Sequence, residues 1–112
     1  MEEKIGKVIL DTTCYPGKDL YSDGAIEDEM LAISRDFAPE EFNRVISERE
    51  SWPILYHFSH IRENILSWLP FTGEEKVLEI GSGCGAVTGA LCEKAKEVTC
   101  IELSMKRCKI NA

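Results

Sequence analysis

The chain has 112 residues, 44% of them hydrophobic and 29% charged, with a formal net charge of −7. Residues 1–50 hold 13 acids and 6 bases and residues 51–112 hold 7 of each, so the negative excess lies wholly in the front half. That balance argues against a broad contact with nucleic acid, which needs a basic face, and no apolar run approaches the ~18 residues of a membrane span.

Met1-Glu-Glu-Lys4 is acidic where a secretory leader is basic. The five cysteines, at 14, 84, 92, 100 and 108, include no Cys-x-x-Cys pair. An odd count without a leader fits reduced thiols, and the expected location is the cytoplasm.

Lys7-Val-Ile-Leu-Asp11 reads as a short strand closed by the turn chemistry of Tyr15-Pro-Gly17. Ile26, Met30, Ile33 and Phe37 then recur on one face of a helix over about 25–36. Acids stand in its first turn and Arg35 in its last, both favourable to the helix dipole. Pro39 suits the first turn of a second helix with Phe42, Val45, Ile46 and Arg49 along one side, and Pro53 closes it. A third helix is expected from Ser59, its apolar side made by Ile61, Ile65, Leu66 and Leu69, ending at Pro70 and Gly73. Trp52 and Trp68 are expected in the core or between helices. Residues 1–73 thus read as a mainly helical cap or leader.

Val77-Leu-Glu-Ile80 is a short apolar run, and Gly81, Gly83 and Gly85 follow at once. A buried strand therefore enters a glycine turn. From Ala86 the apolar spacing becomes helical, so a helix is expected from near Cys84, and Val98-Thr-Cys-Ile-Glu-Leu103 is a second strand. This is one βαβ unit, of roughly 30 residues. The fold class is α/β: a truncated Rossmann-like fold, represented by its first βαβ unit and preceded by the helical cap. Residues 74–112 read as the start of a ligand-binding domain that is incomplete at its C-terminus, because a doubly wound sheet needs further strands. Ser104 is the expected N-cap of one more helix. An apolar strand with a bare edge templates pairing. Either the segment around Val8 to Leu10 folds back onto that edge, or a second copy supplies the strand, and a homodimer is the expected outcome.

Glycines let the turn take positive φ and come close to a ligand. Glu102 follows Gly81 by 21 residues, about the spacing at which an acid at the end of the second strand meets a ribose diol. Two ligand classes compete. Gly81-x-Gly83-x-x-Ala86 formally matches the dinucleotide fingerprint of NAD or FAD, while Glu79, two places before Gly81, is unwelcome to a pyrophosphate and suits a cationic ligand.

Glu79-x-Gly81-x-Gly83-x-Gly85 with the later Val98-Thr-Cys-Ile-Glu102 resembles the first two motifs of class I S-adenosylmethionine-dependent methyltransferases. The wording is also similar to the adenine dimethylases of ribosomal RNA. The resemblance spans about residues 74–112. It implies S-adenosyl-L-methionine as cofactor, with Gly81, Gly83 and Gly85 lining its methionine part and Glu79 near its amino group. Glu102 would then bind the ribose and Leu103 flank the adenine.

The front half lacks the Gln-rich entry motif of the RNA dimethylases. Leu20-Tyr-Ser-Asp-Gly24 and Tyr56-His-Phe-Ser-His-Ile-Arg-Glu-Asn64 are instead similar to the leader of bacterial methyltransferase domains joined to, or encoded with, glycosyltransferases. That implies a small-molecule or sugar-containing acceptor rather than RNA. Tyr56, His60, Arg62 and Asn64 are candidate cofactor-facing residues, Arg62 as the partner of the methionine carboxylate. His57, His60 and Glu63 lack a second ligand pair, so no metal is expected. Catalytic residues are not assigned, since the acceptor-orienting groups of the family fall after the fourth strand. The expectation is an enzyme as parent protein, with this portion inactive by itself. The other classes are an RNA dimethylase-like enzyme, an NAD-binding domain, and a non-catalytic interaction domain.

Overall fold

A computed structural model describes residues 1–20 and 24–112. The Tyr21, Ser22 and Asp23 part of the leader motif lies outside the described residues. Two strands, β1 (Glu2–Ile5) and β2 (Val8–Asp11), open the chain as an antiparallel hairpin with Lys4 opposite Ile9. Gly6, at φ 58, takes the first place of the two-residue turn, where the twist of a hairpin demands positive φ. The strand expected at Lys7 to Asp11 is therefore present, but its partner is the chain's first residues. It does not fold back onto the second sheet.

Helix α1 (Ala25–Asp36) buries Met30 and Ile33 completely, as its apolar spacing predicts. The expected second helix begins as a 3-10 turn over Pro39–Glu41, where Glu41 accepts the Ala38 N–H, and continues as α2 (Phe42–Arg49). Val45 is its buried residue, and Arg49 reaches Glu29 of α1 at 2.9 Å. Glu50 ends it in the left-handed region at φ 49.

Pro53 does the opposite of what the sequence reading assigned to it. It stands in the first turn of a separate helix, α3 (Trp52–Phe58). A first-turn residue needs no N–H, so proline starts a helix as readily as it ends one. The expected third helix is a 3-10 turn, His60–Glu63, followed by the single turn α4 (Asn64–Ser67). Its apolar side is only partly covered: Leu66 and Leu69 are half-buried, but Ile61 and Ile65 are exposed, and Trp52 and Trp68, expected inside, are 71% and 75% exposed.

Strands β3 (Lys76–Ile80) and β4 (Glu97–Ile101) pair in parallel, Leu78 beside Thr99 and Ile80 beside Ile101, with α5 (Thr88–Lys94) between them in sequence. Helix α6 (Met105–Asn111) follows. Alternation along the strands puts Val77 and Glu79 half-buried on one face, and Leu78 and Ile80 exposed on the other. No other strand pairs with β3 among the described residues. The helix expected near Cys84 begins only at Thr88, because the glycine turn occupies residues 81–87.

One core gathers Met30 and Ile33 of α1, Val45 of α2, Ile54 and Phe58 of α3, Cys84 of the glycine turn and Ile110 of α6. Leader helices and βαβ unit thus share one set of buried apolar contacts. Charged contacts add to it: the fully buried Glu27 accepts from Arg107 Nε at 3.0 Å, and Lys106 meets Asp28 at 2.7 Å. No helix of the described residues is long and apolar enough to cross a membrane.

Candidate functional site

The end of β3 turns toward the end of β4. The Gly81 N–H donates to the Ile101 carbonyl at 2.8 Å, and the Gly83 N–H donates to Glu102 Oε2 at 2.7 Å. The turn and the second strand's acid, 19 residues apart in sequence, therefore form one unit. Glu102 Oε1 also accepts the N–H groups of Leu103 and Ser104, at 2.9 and 3.1 Å. A carboxylate has about four acceptor positions, so three N–H donors leave capacity for another.

The three glycines do different work. Gly81 and Gly83 stand at φ 71 and 58, and a Cβ built on either meets no atom within 4 Å. Their backbone borders open space. Gly85, at φ 87, is covered instead: a Cβ there would lie 2.6 Å from Asn111 Cγ. Asn111 in turn donates from Nδ2 to Thr88 Oγ1 at 3.2 Å, and Thr88 donates a short hydrogen bond to Glu79 Oε1. Cys100 also directs its thiol at that oxygen, 3.5 Å away. Desolvation and the neighbouring Glu79 charge push the Cys100 thiol up to about 11, so it is a neutral donor near pH 7. Ser82, between the first two glycines, is 8% exposed, and its hydroxyl has no hydrogen-bond partner among the described residues.

Leu103 is 72% exposed beside Glu102. Behind it, Ser104 caps α6 by accepting the Arg107 N–H at 3.3 Å, as the sequence predicts. The leader adds a second acid that the sequence reading missed. Asp19 accepts the Met105 N–H at 2.7 Å, the Lys106 N–H at 3.3 Å, the Ser104 hydroxyl at 3.2 Å and the Tyr15 hydroxyl at 3.1 Å. Burial alone would raise the Asp19 pKa. The Met105 and Lys106 N–H donors, with the two hydroxyls, outweigh it and hold the carboxyl below its ordinary value.

The candidate residues of the helical leader make separate contacts. The Arg62 guanidinium lies 3.9 Å over the Tyr56 ring, and its Nε is buried without a hydrogen-bond partner among the described residues. His60 bridges Glu63 Oε1 and the Pro39 carbonyl, 3.2 Å to each, and its pKa is raised by Glu63 first and by that carbonyl second. It lines a cavity of about 330 Å³ together with His57, Cys84, Gly85 and Ala86. Asn64 is exposed at the start of α4. The described residues include no group of three or more His, Cys, Asp or Glu arranged to hold a metal ion.

A strand, a turn with two open glycines and a strand-end acid bonded to that turn make up a candidate ligand site on an α/β scaffold. Two curated proteins are similar to the chain, and both are methyltransferases. Protein-L-isoaspartate O-methyltransferase of Dictyoglomus turgidum is 40% identical over 80 residues, 67% of this chain and 36% of that protein. Ribosomal RNA small subunit methyltransferase A of Lachnoclostridium phytofermentans is 42% identical over 45 residues, 40% of this chain and 16% of that protein. The matched parts thus amount to about a third or less of either relative's length. No protein-family profile and no solved structure matches the chain. The similarity is to methyltransferases as a general class, and the two names carry different acceptors.

Proposed function

We propose that the chain is part of an S-adenosylmethionine-dependent methyltransferase and supplies the glycine-turn half of its cofactor site. The observation that carries this reading is a turn with open Gly81 and Gly83 that is tied to Glu102 by the Gly83 N–H, in a chain similar to two methyltransferases. When bound, the cofactor supplies the methyl group. The chain's own residues bind and orient it. Gly81 and Gly83 leave room for the methionine part, and Glu79, on the adjoining strand, attracts its ammonium. Gly85 is assigned to the same turn, but through packing against Asn111 rather than an open surface. Glu102 has acceptor capacity left for the ribose diol, and exposed Leu103 offers an apolar surface to the adenine. Arg62, with a buried donor unspent, suits the methionine carboxylate. Tyr56 holds Arg62 by its ring, and His60 and Asn64 complete the leader's side of the site.

The acceptor we propose is a small or sugar-containing molecule, on the acidic front half and the leader motif. The ribosomal RNA methyltransferase match keeps RNA as the second reading. In either case rate enhancement rests largely on holding donor and acceptor in line. Titration calorimetry with S-adenosylhomocysteine and, separately, NAD tests the cofactor. Binding of the first and not the second is expected, and Glu102→Ala should weaken it by about 1–3 kcal/mol, the worth of a charge-assisted hydrogen bond. Tight NAD binding with no response to S-adenosylhomocysteine would overturn the reading.

A further inference from the structure

We infer that Asp19, a residue of the leader, is a positioning residue for the Glu102 end of the ligand site, acting through Ser104. The inference rests on the reading of Glu102 as the ribose-binding acid. Asp19 belongs to neither the glycine turn nor the second strand, and 85 residues separate it from Ser104. Yet its carboxylate holds the first turn of α6 from outside, taking the Ser104 hydroxyl and the Met105 and Lys106 N–H groups.

Ser104 is fully buried, and its own N–H donates to Glu102 Oε1. The other oxygen of Glu102 takes the Gly83 N–H. A continuous path of hydrogen bonds therefore runs from the Tyr15 hydroxyl through Asp19, Ser104 and Glu102 to the open glycine turn. The division of donors gives this path its function. The two acids flank one short turn, and its N–H groups are shared between them without overlap: Leu103 and Ser104 to Glu102, Met105 and Lys106 to Asp19. Without Asp19, the Met105 and Lys106 N–H groups become alternative partners for Glu102. Its carboxylate is then free to rotate away from Gly83.

The alternative is that Asp19 merely caps α6 and matters only for stability. The two differ at Gly83, which Asp19 does not touch. In the full chain, Asp19→Ala should shift the Gly83 amide resonance and lower its hydrogen-exchange protection by about tenfold, the equivalent of one lost hydrogen bond. Asp19→Asn keeps one acceptor oxygen and should retain part of both. Calorimetry with adenosine and with S-adenosylhomocysteine should show the two weakened by the same factor, because the path reaches the ribose side only. Should the alanine variant fail to fold, Asp19→Asn and Tyr15→Phe carry the same readouts in graded form. Changes confined to Met105 and Lys106, with Gly83 unmoved, would overturn the inference, as would a Gly83 shift that leaves both affinities intact. If the unaltered chain binds NAD tightly and neither of these compounds, the cofactor reading fails. The Gly83 amide still decides whether Asp19 sets the position of Glu102.

Discussion

Replacing Gly85 by alanine separates two reasons for a glycine in one turn. At φ 87 an added Cβ strains the backbone by about 1–2 kcal/mol. It would also lie 2.6 Å from Asn111 Cγ, so Asn111 must swing away and release its 3.2 Å hydrogen bond to Thr88, a further loss of about 1 kcal/mol. The stiffer unfolded chain returns about 0.4–1 kcal/mol. The net expectation is a loss of about 2 kcal/mol. Gly83→Ala is the internal control, because it has positive φ and open space, and the same terms without the displacement leave it at about 1 kcal/mol or less. Urea unfolding of both variants, and of Gly85→Ala combined with Asn111→Ala, reads these numbers directly. The double variant should show favourable coupling of about 1 kcal/mol, since the clash and the bond vanish together. Equal losses for Gly83→Ala and Gly85→Ala, or strict additivity in the cycle, would refute the packing role assigned to Gly85.

Arg107→Met should destabilise the chain by about 3–5 kcal/mol in urea unfolding, because it strips a close ion-pair partner from a fully buried Glu27. The raised His60 pKa makes its contribution complete below its unfolded value of about 6.5 and lost as pH rises through the folded value. Only the imidazolium donates to Glu63 and the Pro39 carbonyl at once. The stability gap between the chain and its His60→Ala variant should therefore be larger at about pH 5.5 than at about pH 8.5, by a few tenths of a kcal/mol for so exposed a pair. The open edge of β3 and the exposed Leu78 and Ile80 beside it should drive weak self-association through strand pairing. Sedimentation equilibrium checks this: Ile80→Lys is expected to weaken association, and a strictly monomeric chain would refute it.

The βαβ unit was legible because its period changes from strand to helix within a few residues and glycines mark the change. The start of α5 was not, since glycines announce a turn without fixing its length. Proline misled at position 53, where the same missing N–H ends one helix and begins the next. Trp52, Trp68, Ile61 and Ile65 show that helical spacing names a face without saying whether anything covers it. Within the candidate site, Glu102 was singled out by its distance from the glycines. Asp19, Thr88 and Asn111 gave no such signal, because each works across a tertiary contact between segments distant in sequence. A carboxylate four residues after Tyr15 looks like any loop acid until the fold brings it to Ser104.

The ties between α1 and α6 also bear on how the chain is made. Glu27 meets Arg107 and Asp28 meets Lys106, so α1 completes its buried contacts only after some 80 further residues have been synthesised. At ribosomal rates of about 5–20 residues per second, that interval is roughly 4–16 s. Throughout it Met30 and Ile33, fully buried in the finished fold, lack Ile110 on the far side of their core. The leader helices therefore leave the ribosome with an apolar surface whose burial depends on a segment made later. Slowing synthesis after residue 73 should lengthen that dependence, whereas moving the α6 sequence ahead of α1 by circular permutation should shorten it.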